Sequence, residues 1–174
     1  MTNTATHTIL VVDDEPSICW GFERLLSEQG YLVLTASSAE EGLEKAAQQR
    51  IDLLVLDVRL PGEDGISALP RFRNAIGDAP VVIMTAFGDL ETAVAAIHGG
   101  ASDYLTKPFK LEDASRVCEA MLLQSRQTTN PEFDTADLEP ADAAMLVGRS
   151  PAMQQVFRRI ALVADSELSV LITG

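Results

Sequence analysis

The chain is short of basic residues and of cysteine and has no long hydrophobic run, and each shortage excludes a class of protein. Only 13 Lys and Arg stand against 26 Asp and Glu, a formal charge of −13 over 174 residues. Such a balance repels polyanions, so direct binding to nucleic acid is not expected, while a divalent cation is compatible with it. The two cysteines, Cys19 and Cys118, lie far apart and fit no metal-ligand spacing, so they read as reduced packing residues. No apolar stretch approaches the length of a membrane span. Residues 1–8 show no basic region followed by an apolar one, so neither a membrane anchor nor a secretory signal is expected and the chain reads as cytoplasmic. What is present is an apolar fraction of 47%, too high for a disordered chain and enough for one well-buried domain plus something smaller.

The organising stretch is Ile51-Asp-Leu-Leu-Val-Leu-Asp57, followed by Val58-Arg-Leu-Pro-Gly62. A short Leu/Val run that ends at turn residues reads as a strand buried on both faces, as in a parallel sheet. Similar runs recur at residues 8–12, 31–35, 79–84 and 102–105. Helical periodicity separates them: Ile18, Phe22, Leu25 and Leu26 share one face, as do Ile66, Leu69 and Phe72, and Leu90, Val94 and Ile97. Pro16 suits a helix start, Ser38 and Asp64 suit caps, and Gly30 and Gly99-Gly100 suit stops. A fifth helix is expected from Leu111 to about Gln124. Pro70 falls inside the third helix, where a missing donor predicts a kink or a late start. Trp20 lies opposite the apolar stripe of the first helix and is expected to point outward.

Five strands alternating with five helices predict an α/β fold, a doubly wound five-stranded parallel sheet of flavodoxin-like order 2-1-3-4-5 with helices on both faces. That order gathers the strand ends on one edge: Asp13 and Asp14 after the first, Asp57 at the third, Thr85 at the fourth, Lys107 just beyond the fifth. Crowded carboxylates repel one another unless a cation relieves them, and a hard oxygen-ligated ion such as Mg²⁺ is the natural partner. A metal flanked by a hydroxyl and an ammonium also suits a phosphoryl group, with Asp57 in the middle as the nucleophile. Any one of these residues alone reads as a solvated strand-end acid or a surface ion pair; five at successive strand ends do not.

On these residues the chain resembles the receiver domain of two-component response regulators, over roughly residues 7–125. The matching motifs are Asp13-Asp14, Asp57, Thr85-Ala86 and Lys107-Pro108. The resemblance implies that Asp57 is the phosphoacceptor of a sensor histidine kinase. It implies Mg²⁺ on Asp14, Asp57 and the Arg59 backbone carbonyl, with Asp13 helping through water. It makes Thr85 and Tyr104 a switch pair, and it implies a cis Lys107–Pro108 bond. It also implies self-association through the face of the fourth helix and fifth strand.

The expected domains are a receiver at 1–125, an acidic linker at 126–144, and at 145–174 the incomplete opening of a further domain. In that last piece Ser150-Pro151 precedes a helix with Met153, Val156, Phe157 and Ile160 on one side, and a strand at 170–174 follows. It resembles the start of the AAA+ ATPase domain of NtrC-type, sigma-54-dependent transcriptional activators, with Gly174 as the first glycine of a phosphate loop. Because no GK[ST] follows in this sequence, no ATPase activity is expected of the chain, whose reading is a switch module that acts on an ATPase domain. A Mg²⁺-dependent aspartyl-phosphate hydrolase is the enzymatic alternative. Its nucleophile and acid stand two residues apart after the first strand, whereas here the acids are adjacent and the candidate nucleophile is on the third. A flavin carrier needs a Ser/Thr/Gly-rich loop where this chain has Asp13-Asp14-Glu15. A phosphorylation-independent receiver-like module is disfavoured by the complete set of site residues.

Overall fold

The computed structural model describes residues 7–86, 90–125, 156 and 160. Along the chain run β1 (Thr8–Val12), α1 (Pro16–Glu28), β2 (Leu32–Ala36), α2 (Ala39–Gln48), β3 (Leu53–Asp57), α3 (Gly65–Ile76), β4 (Val81–Thr85), α4 (Leu90–His98), β5 (Asp103–Thr106) and α5 (Leu111–Gln124). All strand pairs are parallel, in the order β2-β1-β3-β4-β5. This is the architecture expected from the alternation of patterns. No helix among the described residues is long and apolar enough to cross a membrane.

The central strands β1, β3 and β4 are buried along their whole length, which is why their sequences are continuous rather than alternating apolar runs. Successive side chains feed two separate cores. Leu10, Val12, Leu54, Leu56, Val81 and Ile83 point to one face and pack with Ala68, Leu69 and Phe72 of α3 and with residues of α2 and α4. Ile9, Val11, Leu53, Val55, Val82 and Met84 point to the other and pack with Phe22 and Leu26 of α1 and Cys118 and Leu122 of α5. Cys118 is wholly buried and Cys19 half-buried, both free thiols.

The caps fall where the sequence puts them. The Ser38 hydroxyl accepts from the Glu41 N–H, and the Asp64 carboxylate from the Ser67 N–H. Trp20 is 60% exposed and carries the Arg24 guanidinium over its ring. Of the kink or late start expected from Pro70, the late start does not occur: α3 begins at Gly65 and helical backbone continues through Pro70. Pro70 is exposed, so its ring crowds the solvent side of the helix, where carbonyls already tilt outward to water. The helix around Met153–Ile160, apart from the helical backbone at Val156 and Ile160, and the strand at 170–174 lie outside the described residues.

Candidate functional site

Three registers build the site. Val12 pairs with Leu56, so the residues that follow, Asp13 and Asp57, emerge side by side at the carboxyl edge. Asp57 pairs with Met84, and Thr85 with Thr106, which carries Thr85 and Lys107 to the same edge. The chain ends are then tied down: the Val58 N–H donates to the Met84 carbonyl at 2.8 Å, and the Lys107 N–H to the Thr85 carbonyl at 2.7 Å. Asp13 is fixed by its own N–H to the Ala36 carbonyl. The Lys107–Pro108 peptide is cis, as the resemblance implied.

The carboxylates meet as expected. One oxygen from each of Asp13, Asp14 and Asp57 lies within 4.8 Å of the others. Asp13 and Asp57 are buried and Asp14 is exposed. The Lys107 ammonium, 14% exposed, sits 2.8 Å from Asp13 Oδ2, 3.2 Å from Glu15 Oε1 and 3.3 Å from Asp57 Oδ1. Its approach to Asp13 Oδ2 is off the direction of a hydrogen bond, so that buried oxygen keeps its lone pairs without a hydrogen-bond donor. Thr85 is 2% exposed and Tyr104 5%, so the aromatic ring is already turned into the sheet face. Arg59 is exposed in the turn after β3.

Burial dominates the titration of the acids. Desolvation raises the Asp57 carboxyl from 3.8 to about 6, against the pull of Lys107 and with the repulsion of Asp13 and Asp14 added. Asp13 is raised for the same reason, although Lys107 and the Glu15 N–H oppose the shift. For Lys107 burial acts downward, but the neighbouring carboxylates of Asp13, Asp57 and Glu15 carry it above the ordinary lysine value. One ammonium therefore leaves the two buried carboxyls undercompensated. An orphaned buried oxygen, three convergent carboxylates and an all-oxygen donor set fit a hard divalent cation.

Two residues of the site escaped the sequence reading. Gly65, first residue of α3, packs against the carbonyl of Asp57; a Cβ there would fall inside the van der Waals contact of that oxygen. Its N–H also donates to the Val58 carbonyl at 2.8 Å, closing the turn after β3. The only signal was the pairing Asp64-Gly65, a cap followed by a residue without a side chain. The other is Glu15, whose reach to Lys107 spans 92 residues and leaves no local trace in the sequence.

Residues 9–119 match the family described as the response regulator receiver domain. The chain is 38% identical over 166 residues to the DNA-binding transcriptional regulator NtrC of Escherichia coli (strain K12), covering 95% of this chain and 35% of that protein. It is 41% identical over 166 residues to the transcriptional regulatory protein ZraR of the same strain, covering 95% and 37%. The chain thus spans little more than a third of the curated relatives it matches. Among solved structures it is similar to the receiver domain of NtrX from Brucella abortus, with a TM-score of 0.62 and 37% identity, covering 66% of this chain and 98% of that one.

Proposed function

The chain belongs to the response regulator receiver domain family, and from that membership we propose that Asp57 accepts a phosphoryl group from a sensor histidine kinase. The observation that carries the reading is the convergence of Asp57 with Asp13, Asp14 and Lys107 at one sheet edge. Asp13, Asp14, Asp57 and the backbone carbonyl of Arg59 would hold Mg²⁺. When bound, Mg²⁺ supplies positive charge beside the phosphoryl oxygens. Asp57 attacks phosphorus through a carboxylate oxygen, and the bond from phosphorus to the donor breaks, the donor leaving with that electron pair. Lys107 brings its ammonium to the transferred group, and the Thr85 hydroxyl donates a hydrogen bond to it.

The outcome is a covalent switch. In this reading Thr85 and Tyr104 form the pair that couples the phosphoryl group to the face of α4 and β5. Likeness to NtrC and ZraR over nearly the whole chain supports a place in a transcriptional activator, of the sigma-54-dependent kind. Residues 1–125 are the receiver, 126–144 a linker, and 145–174 the opening of an ATPase domain on which the receiver acts. Labelled acetyl phosphate offered with and without Mg²⁺ tests the chemistry. Incorporation that requires Mg²⁺ is expected; incorporation indifferent to Mg²⁺, or none at all, overturns the reading.

A further inference from the structure

We propose that Glu15 is a positioning residue for this phosphotransfer, holding the Lys107 ammonium in the unphosphorylated chain and releasing it as the phosphoryl group arrives. The inference rests on the reading of Asp57 as phosphoacceptor and adds a residue to it.

Glu15 is the N-cap of α1, with extended backbone at φ −85 and ψ 108. The side chains that ordinarily cap a helix are those of Ser, Thr, Asp and Asn, and the longer glutamate is not among them. Here there is no side-chain cap bond, and the first turn of α1 contains no other acid. The side chain instead turns toward the sheet edge, where Lys107 Nζ donates to Oε1 at 3.2 Å. The backbone N–H of Glu15 meanwhile donates to Asp13 Oδ1 at 2.9 Å. One residue thus orients Asp13 with its main chain and Lys107 with its side chain.

A lysine ammonium has three donors, and this one faces three carboxylates: Asp13, Glu15 and Asp57. A phosphoryl oxygen can gain Lys107 only if one of them gives it up. Asp57 becomes an acyl phosphate, and Asp13 belongs to the metal-binding set. Glu15 is the remaining partner, and its side chain is 57% exposed, so water can take over its oxygens when the lysine departs. The exchange moves no proton: the ammonium trades a carboxylate oxygen for a phosphoryl oxygen while the Asp57–phosphorus bond forms and acetate, for an acetyl phosphate donor, leaves.

The test compares wild type, Glu15→Gln and Glu28→Gln, the last a same-charge control at the far end of α1. At saturating Mg²⁺, Glu15→Gln is expected to raise the maximal rate of phosphorylation by acetyl phosphate about two- to fivefold, the scale of an exposed ion pair. Half-saturation by Mg²⁺ and the melting temperature should stay near wild type. A general charge effect would instead act through donor affinity and appear in Glu28→Gln as well. The ¹⁵Nζ resonance of Lys107 supplies a signature independent of turnover: it should shift in unphosphorylated Glu15→Gln, yet coincide with wild type once both are loaded with beryllofluoride. If wild type takes no phosphoryl group, the reading of Asp57 falls, while the Lys107 resonance still decides whether Glu15 grips the lysine. If wild type is phosphorylated and Glu15→Gln matches it in rate and resonance, or reacts more slowly, the role given to Glu15 is wrong.

Discussion

At the scale of single residues, the site is an electrostatic imbalance. Asp57 is 3% exposed and titrates near 6 because desolvation outweighs the attraction of Lys107. A carboxyl raised above its unfolded value favours folding fully below pH 3.8, and that contribution is lost as pH rises toward 6. Above this window, in metal-free buffer, ionised Asp57 opposes the fold by about 3 kcal/mol at most. Asp57→Asn should therefore raise the melting temperature by several degrees at pH 7.5 in chelator, and the gain should shrink as pH falls toward 4. An equal or lower melting temperature for the variant at pH 7.5 would contradict the assigned imbalance. Trp20 offers a second readout. It shares with Asp13 and Asp14 the lining of a cavity of about 350 Å³. Its fluorescence, the only tryptophan signal in the chain, is expected to change on adding Mg²⁺ in wild type and not in Asp14→Asn. The acids and the lysine were legible in the sequence because each stands at a strand end, a one-dimensional signal. The partnership of Glu15 with Lys107 was not, since it joins chain segments that only the folded edge brings together.

At the scale of elements, the turns around the site constrain it more tightly than the sequence pattern suggests. The start of α3 leans on the end of β3 at Gly65, so Gly65→Ala must push the Asp57 carbonyl aside. Overpacking of this kind costs about 1–3 kcal/mol. Chemical denaturation should register that loss, and Mg²⁺ affinity should fall because the displaced chain carries Asp57. Unchanged stability and metal affinity would show that the turn can yield. Arg73 plays a comparable part near the other end of α3. Its guanidinium donates to the carbonyls of Ala79 at 2.6 Å and of Gly100, fastening the exit of α4 to the α3–β4 turn. Arg73→Ala is expected to lower stability by about 1–2 kcal/mol and to speed amide exchange at Gly99, Gly100 and Ala101; protection equal to wild type would show the clamp to be dispensable. Element types were readable from period and caps, with β2 and β5 each displaced by one residue from their expected spans. The continuity of α3 was not, because the local rule for proline ignores which side of a helix faces water.

For the whole molecule, parallel order 2-1-3-4-5 is the feature from which the rest follows, since it places β1 and β3 side by side and sends their carboxylates to one edge. That order followed from the alternation of patterns and the few topologies right-handed crossovers allow. The face of α4 and β5 lies beside Thr85 and Tyr104. A phosphate mimic is therefore expected to change self-association, in a concentration-dependent way, as small interfaces do. Sedimentation with and without beryllofluoride checks this, and an unchanged distribution with the mimic bound would send the output elsewhere. All of it depends on one carboxylate being the acceptor. Intact-mass measurement after acetyl phosphate and Mg²⁺, with the label mapped to its peptide, decides that point. The account predicts one added phosphoryl group on wild type, located at Asp57, and none on Asp57→Asn; a stable label on Asp13 or Asp14, or equal labelling of the variant, would contradict it.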